Sequence, residues 1–137
     1  MRDSTPRTAI RIDPTDRSPA VEFDFDGRRL SISGESYPED AAAFYGPLLR
    51  SLSEFLRDLG GADLTLDIRM VYFNSSSAKA MMNLFQMLES AAAAGSAITI
   101  NWRYQADDDI MEEFGQDFSE DFVHARFALC PESGPGA

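Results

Sequence analysis

Leu64-Thr65-Leu66-Asp67-Ile68-Arg69-Met70-Val71-Tyr72 runs directly into Phe73-Asn74-Ser75-Ser76-Ser77-Ala78-Lys79, and this passage decides the fold because it carries a strand into a helix across one polar corner. The first part is rich in β-branched and apolar residues, and the stretch from about Ser76 to Ala93 is rich in Ala, Met, Leu and Phe, which favour a helix. Asn74 and the serines are preferred N-cap residues. A hydroxyl at that point sits beside unpaired backbone N–H groups and the positive end of the helix dipole, so a phosphate placed on it is held rather than repelled. The corner therefore reads as a phosphorylation switch, with Lys79, the only lysine of the 137 residues, one turn further on. An Asn-Ser-Ser run before a helix is also read simply as a cap.

Working outward, Val21-Glu22-Phe23-Asp24-Phe25 and Leu30-Ser31-Ile32-Ser33 alternate with period two around the turn signal Asp26-Gly27, which predicts an N-terminal β-hairpin. Pro38-Glu39-Asp40 suits a helix start. Gly46-Pro47 predicts a kink or split, after which Leu48, Leu49, Leu52, Phe55, Leu56 and Leu59 keep helical spacing up to Gly60-Gly61. Beyond the corner helix come a strand over Ala97 to Tyr104, a short acid-capped helix from Asp107 to Phe114 ending at Gly115, and a weak strand alternating through Val123, Ala125, Phe127 and Leu129. Strand-helix-strand passages make right-handed parallel crossovers, so the fold class is α/β, a mixed sheet with helices packed on it. Residues 1–20 read as a loosely ordered arm, in which Ile10 and Ile12 could add a short edge strand; 21–130 form the domain and 131–137 a frayed tail.

Composition narrows the function. A chain of this length, 44% hydrophobic, supports one core and not two. No apolar run reaches the length of a membrane helix and the first residues lack the apolar centre of a signal peptide, so a cytoplasmic protein is expected. A net charge of −11, from 23 acids and 12 bases, repels nucleic acid and anionic lipid and points to protein partners. One cysteine, Cys130, and one histidine, His124, disfavour a disulfide, a zinc site or a Cys-His pair.

The polar positions Lys79, Asn83, Gln86 and Ser90 of the corner helix fall within one arc, and Glu89 alone lies outside it. The apolar arc that remains is roughly twice as wide as one sheet requires, so either a neighbouring helix or a partner docking on its methionines must cover the surplus. Enzyme readings fare worse. Ser76-Ser77-Ala78-Lys79 matches the Ser-x-x-Lys pattern of serine acyl-enzymes, yet the Lys-Thr-Gly strand of that chemistry needs a second lysine. Asp107-Asp108-Asp109 suits capping better than a cation, which the helix dipole disfavours. Glu112, Glu113, Asp117, Glu120 and Asp121 read as a solvated face, and no cofactor motif is present.

Gly34-Glu35-Ser36-Tyr37-Pro38-Glu39, the run from Tyr72 to Met82, and Trp102-Arg103-Tyr104 followed by acids together resemble the SiaC family of bacterial regulatory phosphoproteins over about Ile10 to Phe127. The resemblance implies a fold similar to the STAS domains of anti-sigma-factor antagonists. It also implies phosphorylation by a GHKL-type protein kinase, removal of the phosphate by a PP2C-like phosphatase, and binding and activation of a diguanylate cyclase by the unphosphorylated form, raising cyclic di-GMP and favouring biofilm. The family's acceptor follows the asparagine, which here is Ser75, with Ser76 and Ser77 as alternatives. Glu35, Tyr37, Asn74, Ser76, Lys79 and Asn83 are the expected partner-binding residues. An anti-sigma-factor antagonist acting on transcription, and a small Ser-Lys hydrolase using Ser76 and Lys79, remain as alternatives.

Overall fold

The computed structural model describes residues 9–133, so residues 1–8 of the expected loose arm over 1–20 and residues 134–137 of the expected frayed tail over 131–137 lie outside the described residues. Six strands, β1 (Ile10–Ile12), β2 (Ala20–Asp24), β3 (Arg29–Ser36), β4 (Asp63–Phe73), β5 (Ala97–Gln105) and β6 (Arg126–Glu132), form one sheet in chain order. β1 and β2 each run antiparallel to the next strand and β3 to β6 run parallel, with helices α1 (Ala41–Arg57), α2 (Ser75–Ala93) and α3 (Asp109–Ser119) in the crossovers. Because the strand order only advances, crossovers of one hand place every helix on the same side. Burial records this: Leu64, Leu66, Ile68 and Met70 of β4 and Ile98, Ile100, Trp102 and Tyr104 of β5 are buried, while their odd-numbered neighbours are not.

The odd-numbered face is polar. Asp67 accepts hydrogen bonds from Arg29, Arg103 and Asn101, and Arg69 grips Glu132 with two N–H groups at 2.8 Å each. Burial pushes the Asp67 carboxyl up, but the donors Asn101 and Arg103 and the charges of Arg103 and Arg29 outweigh it and hold the carboxyl below its usual range. Ile10 and Ile12 do form an edge strand, opposite Phe23 and Val21.

Several boundaries differ from the spacing. The hairpin connection spans residues 25–28, and the left-handed residue in it is Arg28 (φ 57°), with the Asp24 carboxylate accepting from Gly27 N–H at 3.0 Å. Helix α1 continues through Pro47 without a split, since Gly46 has no Cβ to clash with the proline ring. Helix α3 does not end at Gly115 but runs through it to Ser119. A Cβ on Gly115 would lie 2.5 Å from both the Trp102 ring and Leu129, so the glycine is there to let helix and sheet approach. Val123 and Ala125 precede β6 rather than belonging to it, and Glu132, placed by composition in the tail, is its last residue.

Two features set up the site. Between β3 and β4 the pairing slips, with Gly34 opposite Met70 and Glu35 opposite Tyr72, so Val71 is an extra residue in β4 and the buried parity changes to Phe73. Gly34 takes the left-handed φ of 118° at this bulge. On α2, Glu89 reaches the segment between α3 and β6, accepting from the backbone N–H groups of Val123, His124 and Ala125 and pairing with His124 Nδ1 at 2.9 Å. That is why this one acid breaks the polar arc. Partial burial pushes its carboxyl up, but the donors of Ala125, His124 and Val123 outweigh it and bring it down to about 2.

Candidate functional site

The corner forms at the carboxyl end of β4. Asn74 is the N-cap of α2 in extended geometry, its side chain accepting from Ser77 N–H at 2.9 Å, and its own N–H donates to the carbonyl of Ser36 at 3.1 Å. Ser75 and Ser76 are exposed in the first turn, and that turn holds no acid. A phosphate on either meets the positive end of a helix, where the Asn74 side chain already takes the Ser77 N–H. Ser77 differs from both: it is wholly buried, and its hydroxyl accepts from Ser36 Oγ at 2.8 Å.

The expected partner-binding residues gather in two places. Register puts Glu35 opposite Tyr72 and Ser36 opposite Phe73, so exposed Glu35 and half-buried Tyr37 stand at the same sheet end as Asn74, Ser75 and Ser76. Tyr37 and Tyr72 meet edge to face at 5.7 Å. Lys79 and Asn83 continue along the exposed face of α2, on a ridge between two grooves. One, of about 520 Å³, runs between α1 and α2 past Asp40, Tyr45 and Leu49; the other, of about 640 Å³, runs past Met82, Phe85, Asp121 and Phe122.

Neighbouring structure covers most of the wide apolar arc of α2. Met81, Leu84, Phe85 and Leu88 are buried and Met87 is half-buried, leaving Met82 as the exposed methionine of the helix at 51%. Further exposed apolar surface lies at the corner itself. Val71 and Tyr72 are at least half exposed, and Phe114, tilted against Phe73 with ring centroids 4.7 Å apart, is followed one turn back by the exposed Ile110. Sequence reading missed this patch. Tyr72 and Val71 looked like ordinary strand residues, and only the bulge turns both outward.

Ser76 and Lys79 are both exposed, and desolvation is what makes such a pair nucleophile and base. Asp108, from the acidic triplet, caps α3 by accepting from Met111 N–H at 3.1 Å. Among the described residues no helix is long and apolar enough to cross a membrane.

Comparison with known proteins gives a consistent picture. The family described as SiaC family regulatory phosphoprotein matches residues 12–132. An uncharacterized protein of Pseudomonas aeruginosa (strain UCBPP-PA14) is 36% identical over 112 residues, covering 82% of this chain and 88% of that one. The crystal structure of apo-SiaC from Pseudomonas aeruginosa superposes with a TM-score of 0.81 at 34% identity, covering 90% of this chain and 99% of that one. SiaC from the same organism, in complex with the diguanylate cyclase SiaD that it activates, gives 0.85 at 34% identity with the same coverage.

Proposed function

The chain belongs to the SiaC family of regulatory phosphoproteins, and from that premise we propose that it is a non-enzymatic bacterial phosphoswitch, working in the cytoplasm, whose acceptor is Ser75. The observation that carries this reading is the corner: an exposed hydroxyl at the first residue of α2, whose first turn holds no acid, at the end of the strand that carries the exposed Val71 and Tyr72. A GHKL-type kinase adds the phosphate and a PP2C-like phosphatase removes it. The unphosphorylated form binds and activates a diguanylate cyclase, as the SiaC relative does with SiaD.

Two electrostatic effects decide what the phosphate does. Within the folded chain, a charge of about −1.5 to −2 at a helix N-terminus is favoured by about 0.3–1 kcal/mol, so the fold survives. Buried against a partner that offers no matching cations, the same group costs several kcal/mol to desolvate, which abolishes binding. The switch therefore blocks a surface without refolding the domain. Incubation with ATP and its GHKL-type kinase, read by intact mass and phosphopeptide mapping, tests the assignment: one phosphate is expected, absent from Ser75→Ala. Phosphate on Ser76 or Ser77 in that variant overturns it.

A further inference from the structure

Beneath the exposed serines lies a second set of hydroxyls that the phosphoryl chemistry itself does not touch. Ser36 closes β3, Tyr45 stands in the second turn of α1 and Ser77 in the first turn of α2, so three elements each send one hydroxyl to one buried point. Ser36 and Ser77 have no exposure and Tyr45 has 3%. Ser36 Oγ donates to Ser77 Oγ at 2.8 Å, and Ser36 Oγ and the Tyr45 hydroxyl are 2.6 Å apart. A serine hydroxyl has one proton to give, so Tyr45 donates to Ser36 and the chain has a direction. Burial pushes the Tyr45 hydroxyl pKa up, against the lowering effect of its serine neighbours, which keeps it a donor.

Ser36 is the hub. Its carbonyl takes the N–H of Asn74, immediately before Ser75, and its hydroxyl takes hold of Ser77, immediately after Ser76. Ser75 and Ser76 are exposed, and besides the Asn74 cap these two bonds tie the residues on either side of them to the sheet. We infer that the buried chain from Tyr45 through Ser36 to Ser77 positions the first turn of α2 and so presents the Ser75 hydroxyl for phosphoryl transfer. This rests on Ser75 being the acceptor. The three are positioning residues, acting through the backbone on a hydroxyl that must be placed to within about 1 Å for efficient transfer.

Tyr45→Phe removes one oxygen from the chain and leaves the ring packing in place. Losing one buried hydrogen bond of ordinary strength is expected to speed amide exchange at Ala78 and Lys79, relative to β4 and β5, by about fivefold. With the GHKL-type kinase, kcat for phosphate transfer to Ser75 should fall by a similar factor while KM stays within about twofold, because the docking surface is unchanged. Ser77→Ala serves as the second variant if Tyr45→Phe folds poorly, and the double variant should lose less than the two singles combined, since both break one chain. Exchange that is unchanged at the corner, or that rises equally throughout the domain, overturns the inference, as does a rise in KM with kcat intact. Phosphate appearing at Ser76 instead sinks the acceptor assignment, while the exchange measurement still decides the positioning role.

Discussion

Glu89→Gln tests how the segment beside the corner helix is held. One carboxylate gathers three backbone N–H groups and the ring of His124, at 2.9–3.2 Å. Its carboxyl sits at about 2 in the folded chain against an ordinary 4.5. The unfolded chain therefore binds more protons between those values, so the contribution is complete above pH 4.5 and is lost as pH falls toward 2. At 1.36 kcal/mol per pH unit the gap is worth about 3.4 kcal/mol. The side chain is 20% exposed, and solvent screening reduces the figure to about 2 kcal/mol. Glu89→Gln should therefore lose about 2 kcal/mol at pH 7, or about 7 °C in Tm for a chain of this length, and less than half of that at pH 3. Urea unfolding followed by circular dichroism, parent against variant at both pH values, measures it. Equal midpoints at pH 7, or a gap that does not shrink at pH 3, would refute the clamp.

Ser75→Asp should melt within a few degrees of the parent yet lose binding to the diguanylate cyclase, and Ser75→Ala should bind constitutively; calorimetry and a pull-down with the cyclase read both, and an aspartate variant that unfolds or still binds removes the mechanism. Gly115→Ala should cost about 1–3 kcal/mol by overpacking against Trp102 and Leu129, seen as a lowered urea midpoint, and a neutral result would mean that α3 can slide. Pro47→Ala, at an exposed site inside α1, should gain about 1–2 kcal/mol by restoring an amide donor to the helix, less the entropy the proline removes from the unfolded chain; a loss of stability would show that the ring packs usefully.

Period-two and helical spacing sufficed for the core strands and for α2, because a half-buried strand or an amphipathic helix writes its burial directly into residue order. Composition also located the corner, since Asn74 and the serines are local capping chemistry. What failed to show was decided by contacts distant in sequence. Gly115 looked like a helix stop because the local signal for a C-cap and for close packing on Trp102 is the same residue. Val123 and Ala125 alternated like a strand, but Glu89, 34 to 36 residues away, holds their backbone. The hydroxyls of Ser36, Tyr45 and Ser77 are 9 and 41 positions apart, a spacing with no period, and in the sequence Ser77 was indistinguishable from Ser75 and Ser76 as an acceptor.

Val71, the extra residue of β4, works as a phase setter. Side chains along a strand change face at every step, so one added residue exchanges inside for outside for everything after it until the strand ends. Without the bulge that absorbs it, Phe73 would leave the core and Tyr72 would enter it. The helix would then start with its opening turn rotated, Ser77 drawn away from Ser36 and a different serine facing solvent. Which hydroxyl the corner presents to solvent is thus a matter of counting. A deletion at position 71 would remove the extra residue together with its bulge and leave Tyr72 opposite Glu35 and Phe73 opposite Ser36, whereas a substitution that forced residue 71 into the regular ladder would turn the start of the helix.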